Sequence, residues 1–321
     1  MKRTFSRFSF LLLAAFFVFS SVGCDLLTNT SGSEECRPAF SIVNQDPDVY
    51  SFEFLAVGDA GTGDLRQKTV AGAMENYAGK NPVRFVLYLG DNFYPNGVDS
   101  VDDPKFRTYF EEIYDKTLLN IPFYAVLGNH DYRRNPYAQA AYTFRSSRWH
   151  MPNFYYTFTV DHNESILCQF IALDTTPIDK WDRFATQLNW LEDVLSKSSA
   201  HWKIVFGHHT IFSNGKHGDT EDMIDEVLPI LERYNVDLYI CGHDHDLQVL
   251  QQQDGVNFLV SGAGASPRVT NCGENTIYAA GRLGFMALRV SYDEIVVSVV
   301  LHTGEIDFSH TIPKQMVSAT Y

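Results

Sequence analysis

The sequence predicts an α/β fold closed as a two-sheet sandwich. Two observations carry that expectation. Five short runs rich in β-branched and aromatic residues each stop at a glycine followed at once by Asp, Asn or His, and stretches with helical apolar spacing lie between them. After Ala263 the pattern changes to closely spaced apolar alternation (FMALRVSYDEIVVSVVLHT), which predicts antiparallel strands that complete the sandwich.

In chain order the runs are FEFLAVGD ending at Asp59, VRFVLYLGD at Asp91, FYAVLGNH at Asn129 and His130, WKIVFGHH at His208 and His209, and VDLYICGHDH at His243 and His245. Each reads as a buried strand. Helices are predicted over Leu65–Ala78, Pro104–Leu119, Phe184–Ser196 and Asp222–Tyr234, where apolar residues recur at three and four positions and acidic residues stand near the starts. Ligands of α/β folds gather outside the carboxyl ends of the strands, so all five glycine-ended turns are expected on one rim. A single domain is expected over residues 49–321.

Composition narrows the function classes. The 321 residues carry a formal charge of −14, with 45% apolar residues, 24 Phe and 17 Tyr, enough to build a large core and to exclude an intrinsically disordered chain. A chain this acidic repels a polyphosphate backbone, so no nucleic-acid partner is expected.

The first 23 residues read as a signal peptide. Lys2, Arg3 and Arg7 precede the apolar run Phe10 to Phe19, about half the ~20 residues that a spanning helix needs. Small residues before Cys24 resemble a bacterial lipobox, although Ser21 stands where an aliphatic residue is usual. Two outcomes fit: lipidation at Cys24, giving a periplasmic or membrane-anchored lipoprotein, or plain secretion. Removing the three cations leaves a mature charge of −17. Residues 24–48 are polar and aperiodic, which suits a tether. Cys168 and Cys241 sit in apolar runs as inert thiols, whereas Cys36 and Cys272 lie in polar segments and could pair.

Singly, an Asp after a strand is more often a helix N-cap than a ligand, and a lone His is usually a satisfied polar residue. Together, Asp59, Asp91, Tyr94, Asn129, His208, His243 and His245 supply oxygen and imidazole donors for two metal ions. His243 and His245 flank Asp244 at a spacing that lets both face one site.

The blocks GDAG (58–61), GDNFY (90–94), GNHD (128–131), VFGH (205–208) and GHDH (242–245) resemble the purple acid phosphatases of the calcineurin-like metallophosphoesterases, most closely the tartrate-resistant type. The likeness covers nearly everything from about residue 50 onward. It implies a four-layer α/β/β/α sandwich whose strands end at a binuclear site. Asp59, Tyr94 and His245 would hold Fe(III), Asn129, His208 and His243 a divalent Fe, Zn or Mn, and Asp91 would bridge them. Gly61 stands where many relatives carry a histidine ligand, so the site must recruit Tyr94, whose phenolate prefers a hard trivalent ion and predicts a violet colour.

Three anionic ligands against five cationic charges leave a bare centre of +2, or +1 with hydroxide on the metals. That attracts a phosphate dianion at short range, while charges beyond ~8–10 Å are screened. The implied reaction is hydrolysis of small phosphate monoesters by hydroxide formed at the metals. His130 matches the family's histidine that steadies the transition state and protonates the leaving alcohol; its alternative is to orient a ligand through Asp131. His217, in NGKHGDT, resembles a second substrate-side histidine.

Two features depart from the pattern. His209-Thr210 replaces the usual Tyr-Pro after His208, and the Gly262–Gly264 run is read as a loop beside the site because it lacks a dinucleotide fingerprint. A phosphodiesterase or phospholipase of the same superfamily, and a binding protein that kept only the fold, are the competing readings.

Overall fold

In the computed structural model residues 50–115, 117–179 and 183–315 are described. Parallel pairing of the glycine-ended runs sets its architecture. Strands β1 (Phe52–Val57), β2 (Val83–Tyr88), β3 (Phe123–Ala125) and β4 (Trp149–His150) lie side by side in parallel. β5 (Tyr156–His162) then pairs antiparallel with β6 (Ser165–Ala172) to begin another sheet, which β7 (Trp202–Phe206) and β8 (Leu238–Cys241) extend in parallel. β9 (Leu247–Gln253), β10 (Val256–Ser261) and β11 (Thr276–Ala280) complete it, and β12 (Gly284–Val290), β13 (Glu294–Leu301) and β14 (Ile306–Pro313) return to the first sheet beside β1. The strand orders are β14-β13-β12-β1-β2-β3-β4 and β11-β9-β10-β8-β7-β6-β5.

The inner faces of the sheets meet through aromatic side chains. Phe54 and Phe85, neighbours in the β1–β2 register, stack at 5.3 Å, and Phe170 of β6 meets each of them edge-on at 5.2 Å. Such pairs add about 0.5–1.5 kcal/mol each beyond the area they bury. Helices cover the outer faces. On the first sheet α1 (Leu65–Ala78) lies against β12 and β13, its start held by the Asp64 carboxylate, which accepts the backbone N–H groups of Arg66 and Gln67. α2 (Pro136–Tyr142) follows the third glycine-ended turn. On the second sheet α3 (Arg183–Ser196) and α4 (Leu228–Arg233) bury Leu191, Leu195, Leu228 and Leu231 against Val205 and Tyr239. The order helix, sheet, sheet, helix is the expected four-layer sandwich.

Two predicted helices are broken. In place of Pro104–Leu119 there is one π-helical stretch, Phe106–Glu111, after which the Arg148 guanidinium takes the carbonyls of Glu111 and Tyr114 that a longer helix would use. In place of Asp222–Tyr234, a π-turn at Met223–Val227 precedes α4, because Pro229 has no N–H to offer and its ring crowds the carbonyl four residues earlier.

At the amino edge of the sheets Tyr50 stacks on His162 at 3.5 Å. Among the described residues no helix is long and apolar enough to cross a membrane. The expected signal peptide, the tether, Cys24 and Cys36 lie outside the described residues. Cys168 and Cys241 are buried free thiols, and Cys272 is disulfide-bonded.

Phe170 is fully buried between the sheets. Phe170→Ala should cost about 3–5 kcal/mol, read as a lower urea midpoint at unchanged slope. A loss under ~1 kcal/mol would show that the inter-sheet aromatic cluster is not what holds the layers together.

Candidate metal centre

The strands of both sheets end toward one another. Gly58, just past β1, donates its N–H to the carbonyl of Ser261 at the end of β10 (2.8 Å), and Gly264 donates to the carbonyl of Gly58 (3.1 Å). That seam places the expected Gly262–Gly264 loop against the rim. Three rim residues with side chains adopt left-handed backbone: Asp59 (φ 55°), Asp91 (φ 53°) and His243 (φ 68°). Non-glycine residues there cost of order 1–3 kcal/mol each, which the surrounding structure must offset. The strain turns their side chains inward. Neighbouring glycines make room: a Cβ on Gly128 would stand 2.2 Å from Asp91 Oδ1, and one on Gly242 would stand 2.5 Å from Asp59 Oδ2.

All seven predicted donor residues converge here in two groups. In the first, the Tyr94 hydroxyl lies 3.0 Å from Asp59 Oδ1 and 3.2 Å from His245 Nε2, and the last two atoms are 3.3 Å apart. In the second, His208 Nε2 lies 3.2 Å from Asn129 Oδ1, 3.2 Å from His243 Nδ1 and 3.7 Å from Asp91 Oδ1. A cation with bonds of about 2.0–2.2 Å holds adjacent donors roughly 3.0–3.5 Å apart, so both groups have the spacing of a coordination shell. Asp59, Asp91 and His208, all buried, form one compact cluster of metal-binding atoms.

The donor chemistry fits as well as the spacing. His208 Nδ1 donates to the carbonyl of Leu89 (2.9 Å) and His245 Nδ1 to that of Ser266 (2.8 Å), which leaves Nε2 of each ring bare and facing inward. Asp59 is fully buried; burial alone would raise its pKa, but contact with His245 and the nearby His208 brings it below the ordinary value. Burial and the carboxylates of Asp59 and Asp91 push the Tyr94 phenol far up, and burial together with the surrounding imidazoles pushes His243 far down. Lone pairs converge from every side, and a cation is the partner that suits them.

His130 stands at the mouth with Nδ1 donating to the carbonyl of Pro95 (2.6 Å), its ring edge-on to Tyr94 at 4.6 Å and Nε2 3.9 Å from Asp91 Oδ2. The alternative expected for it, orientation through Asp131, is not what the structure has. The buried Asp131 carboxylate accepts backbone N–H groups of Gly128, Asn92 and Phe93 instead, tying the turn that carries Asn129 to the one that carries Asp91 and Tyr94. Burial and the Asp91 charge push Asp131 up to about 7. His217 packs its ring on His243 at 4.3 Å, its backbone N–H held by Asp244, and its Nε2 accepts from Arg268 (2.9 Å). His209 lies beside His243, with Nδ1 2.8 Å from the Thr175 hydroxyl.

The sequence reading missed Thr175 and Arg268, and it missed the role of Asp131 and Asp244 as backbone clamps. Asp131 and Asp244 stand inside quoted blocks, but carboxylates that hold backbone amides leave no periodic mark. Thr175, whose hydroxyl accepts the N–H groups of His208 and His209, and Arg268 follow no motif at all.

The calcineurin-like phosphoesterase profile matches residues 52–247. The chain is 35% identical over 300 residues to purple acid phosphatase 17 of Arabidopsis thaliana, an alignment covering 84% of this chain and 87% of that one. It is 32% identical over 298 residues to tartrate-resistant acid phosphatase type 5 of Oryctolagus cuniculus, covering 83% and 92%. Among solved structures it resembles GAP50, described as the anchor in the inner membrane complex of Plasmodium, with a TM-score of 0.77 and 25% identity over 84% of this chain and 90% of that one.

Gly128→Ala forces a methyl group onto the carboxylate and the backbone N–H of Asp91. It should preserve the circular dichroism spectrum and weaken metal retention by roughly 10–100-fold, as metal analysis after dialysis would read. Undiminished metal content would mean that Asp91 does not sit where a cation needs it.

Proposed function

This chain belongs to the calcineurin-like phosphoesterases, as a metal-dependent phosphoesterase similar to the purple acid phosphatases, and from that premise we propose that it hydrolyses phosphate monoesters at a mixed Fe(III)–divalent centre. Asp59, Tyr94 and His245 would hold the ferric ion, Asn129, His208 and His243 a divalent Fe, Zn or Mn ion, with Asp91 between them. The observation that carries this reading is the pair of donor groups at coordination spacing, one of which contains a phenol. When bound, the two cations supply Lewis acidity that neutralises phosphoryl charge and makes water a better nucleophile.

The chain's own side chains do the rest. His130, its Nδ1 committed to Pro95, holds Nε2 at the mouth, where it can pass a proton to the departing alkoxide. His217 has Nε2 already filled by Arg268, so this pair is better suited to gripping phosphoryl oxygens than to moving a proton. Asp131 and Asp244 hold the turns from behind, so the donors need little rearrangement when substrate binds. The Cys272 disulfide supports action in an oxidising compartment outside the cytoplasm.

Likeness to an anchoring protein keeps a second reading in play, that of a fold retained for binding alone. One set of measurements separates them. The purified protein should contain two metals, absorb in the visible, and turn over p-nitrophenyl phosphate far faster than its bis ester. Asp91→Ala should lose colour and turnover together, whereas His130→Ala should keep the colour and lose ~10²–10⁴ of the rate. A colourless protein inert with every added metal would favour the binding reading, and a preference for the bis ester would make the chain a phosphodiesterase.

A further inference from the structure

The loop that follows Gly264 carries Arg268 to the edge of the donor groups. Its backbone N–H donates to the carbonyl of His245 at 2.7 Å, and two residues before it the Ser266 carbonyl accepts from Nδ1 of the same histidine. Its guanidinium donates to His217 Nε2 at 2.9 Å, and the His217 ring lies on His243 at 4.3 Å. Arg268 is thus joined to His245 through its backbone and to His243 through His217. The loop is pinned as well. Asn271 donates its N–H to the carbonyl of Asn214, in the segment that carries His217, and Thr270 is buried. A Cβ on Gly281 would stand 2.1 Å from the Arg268 carbonyl oxygen, so the two backbones are in close contact.

Charge sets Arg268 apart. Among the described residues it forms no ion pair, whereas Arg66, Arg134, Arg233 and Arg282 each meet a carboxylate. Lys216, exposed beside His217, forms none either. With 39 acidic against 25 basic residues, the chain has acids enough to pair every cation, so two left open here are a local excess of positive charge. The acid behind His217 does not cancel it. Asp244 is buried and spends its oxygens on the Ser213 hydroxyl and the N–H groups of His217 and Gly218, while Asp219 turns one oxygen to the Ser213 N–H. Charges farther than ~8–10 Å are screened, so the local balance decides what binds.

The phosphoryl end of a substrate leaves these cations unused. Two bound metal ions offset a phosphate dianion, and His217, its proton on Nδ1 because Nε2 accepts from Arg268, serves the phosphoryl oxygens. The guanidinium stands one hydrogen bond beyond, and its remaining N–H groups have no hydrogen-bond partner among the described residues. A planar fork of donors matches a carboxylate, and a neighbouring ammonium adds a point charge. We propose that Arg268, with Lys216 beside it, binds a carboxylate carried on the alcohol half of the substrate, so that the enzyme prefers phosphate monoesters of hydroxy acids. The proposal rests on the monoesterase reading above.

Paired substrates isolate the carboxylate. The phosphate esters of 3-hydroxypropanoate and 3-hydroxypropanamide match in shape and differ in that charge. The acid should exceed the amide roughly tenfold in kcat/KM, mainly through KM. The non-hydrolysable isosteres 4-phosphonobutanoate and 4-phosphonobutanamide, titrated calorimetrically into the metal-loaded full-length protein, should differ in Kd by a similar factor. Arg268→Gln should bring both ratios near one, and Arg268→Lys, which keeps the charge and loses the fork, should retain part of each. A general loss of phosphoryl grip cancels, because each ratio is taken within one variant. Lys216→Gln, at an exposed side chain, should lower both ratios ~2–3-fold and serves if Arg268→Gln does not fold. Equal binding of the two phosphonates by the unmodified protein, or ratios that neither Gln substitution lowers, would overturn the proposal. A phosphonate preference in protein that turns over no monoester would uphold the carboxylate site and refute the phosphatase reading, whereas turnover without the preference would do the reverse.

Discussion

Everything at the rim depends on how closely the backbones of the two sheets approach one another. Three donor-bearing residues are held in left-handed conformation, and glycines at 128 and 242 leave no Cβ between the turns. Such strain persists only when a rigid frame over-determines it. Here the frame is the aromatic core between the sheets, centred on Phe54, Phe85 and Phe170, together with the backbone hydrogen bonds that join Gly58 to Ser261 and Gly264. The donors are thus preorganised by covalent geometry and packing before any cation arrives.

Preorganisation is reinforced by carboxylates that never face the metals. Asp131 gathers three backbone amides and Asp244 gathers two amides and the Ser213 hydroxyl, so each converts a flexible turn into a fixed one. These buried charges cost solvation, and backbone N–H groups offset that cost at short range. The arrangement divides labour between acids that point inward as donors and acids that point outward as clamps. Sequence position does not distinguish them, since Asp244 stands between His243 and His245.

Much of this was legible in the residues alone. A strand that ends in glycine plus a donor is a local pattern, and five repetitions of it mark six of the seven side chains that meet at the rim, Tyr94 lying three residues beyond the second run. α1 was legible to its last residue because periodicity and the Asp64 cap agree. What was not legible depends on partners distant in sequence. Arg148 ends the helix after Glu111 from 37 positions away, and no pattern near Phe106 announces it. The carbonyl that orients His130 belongs to Pro95, 35 positions away, and not to the adjacent acid.

The direction of β1 has one more consequence. Tyr50 caps the amino edge of the sheets by stacking on His162, whereas Asp59 emerges from the opposite edge, about 20 Å away along a six-residue strand and its turn. Any leash joined at Tyr50 would therefore grip the molecule by its back. Fastened to a surface in that way, the protein would point its mouth at the open medium, where dissolved esters arrive from bulk without having to pass beneath it.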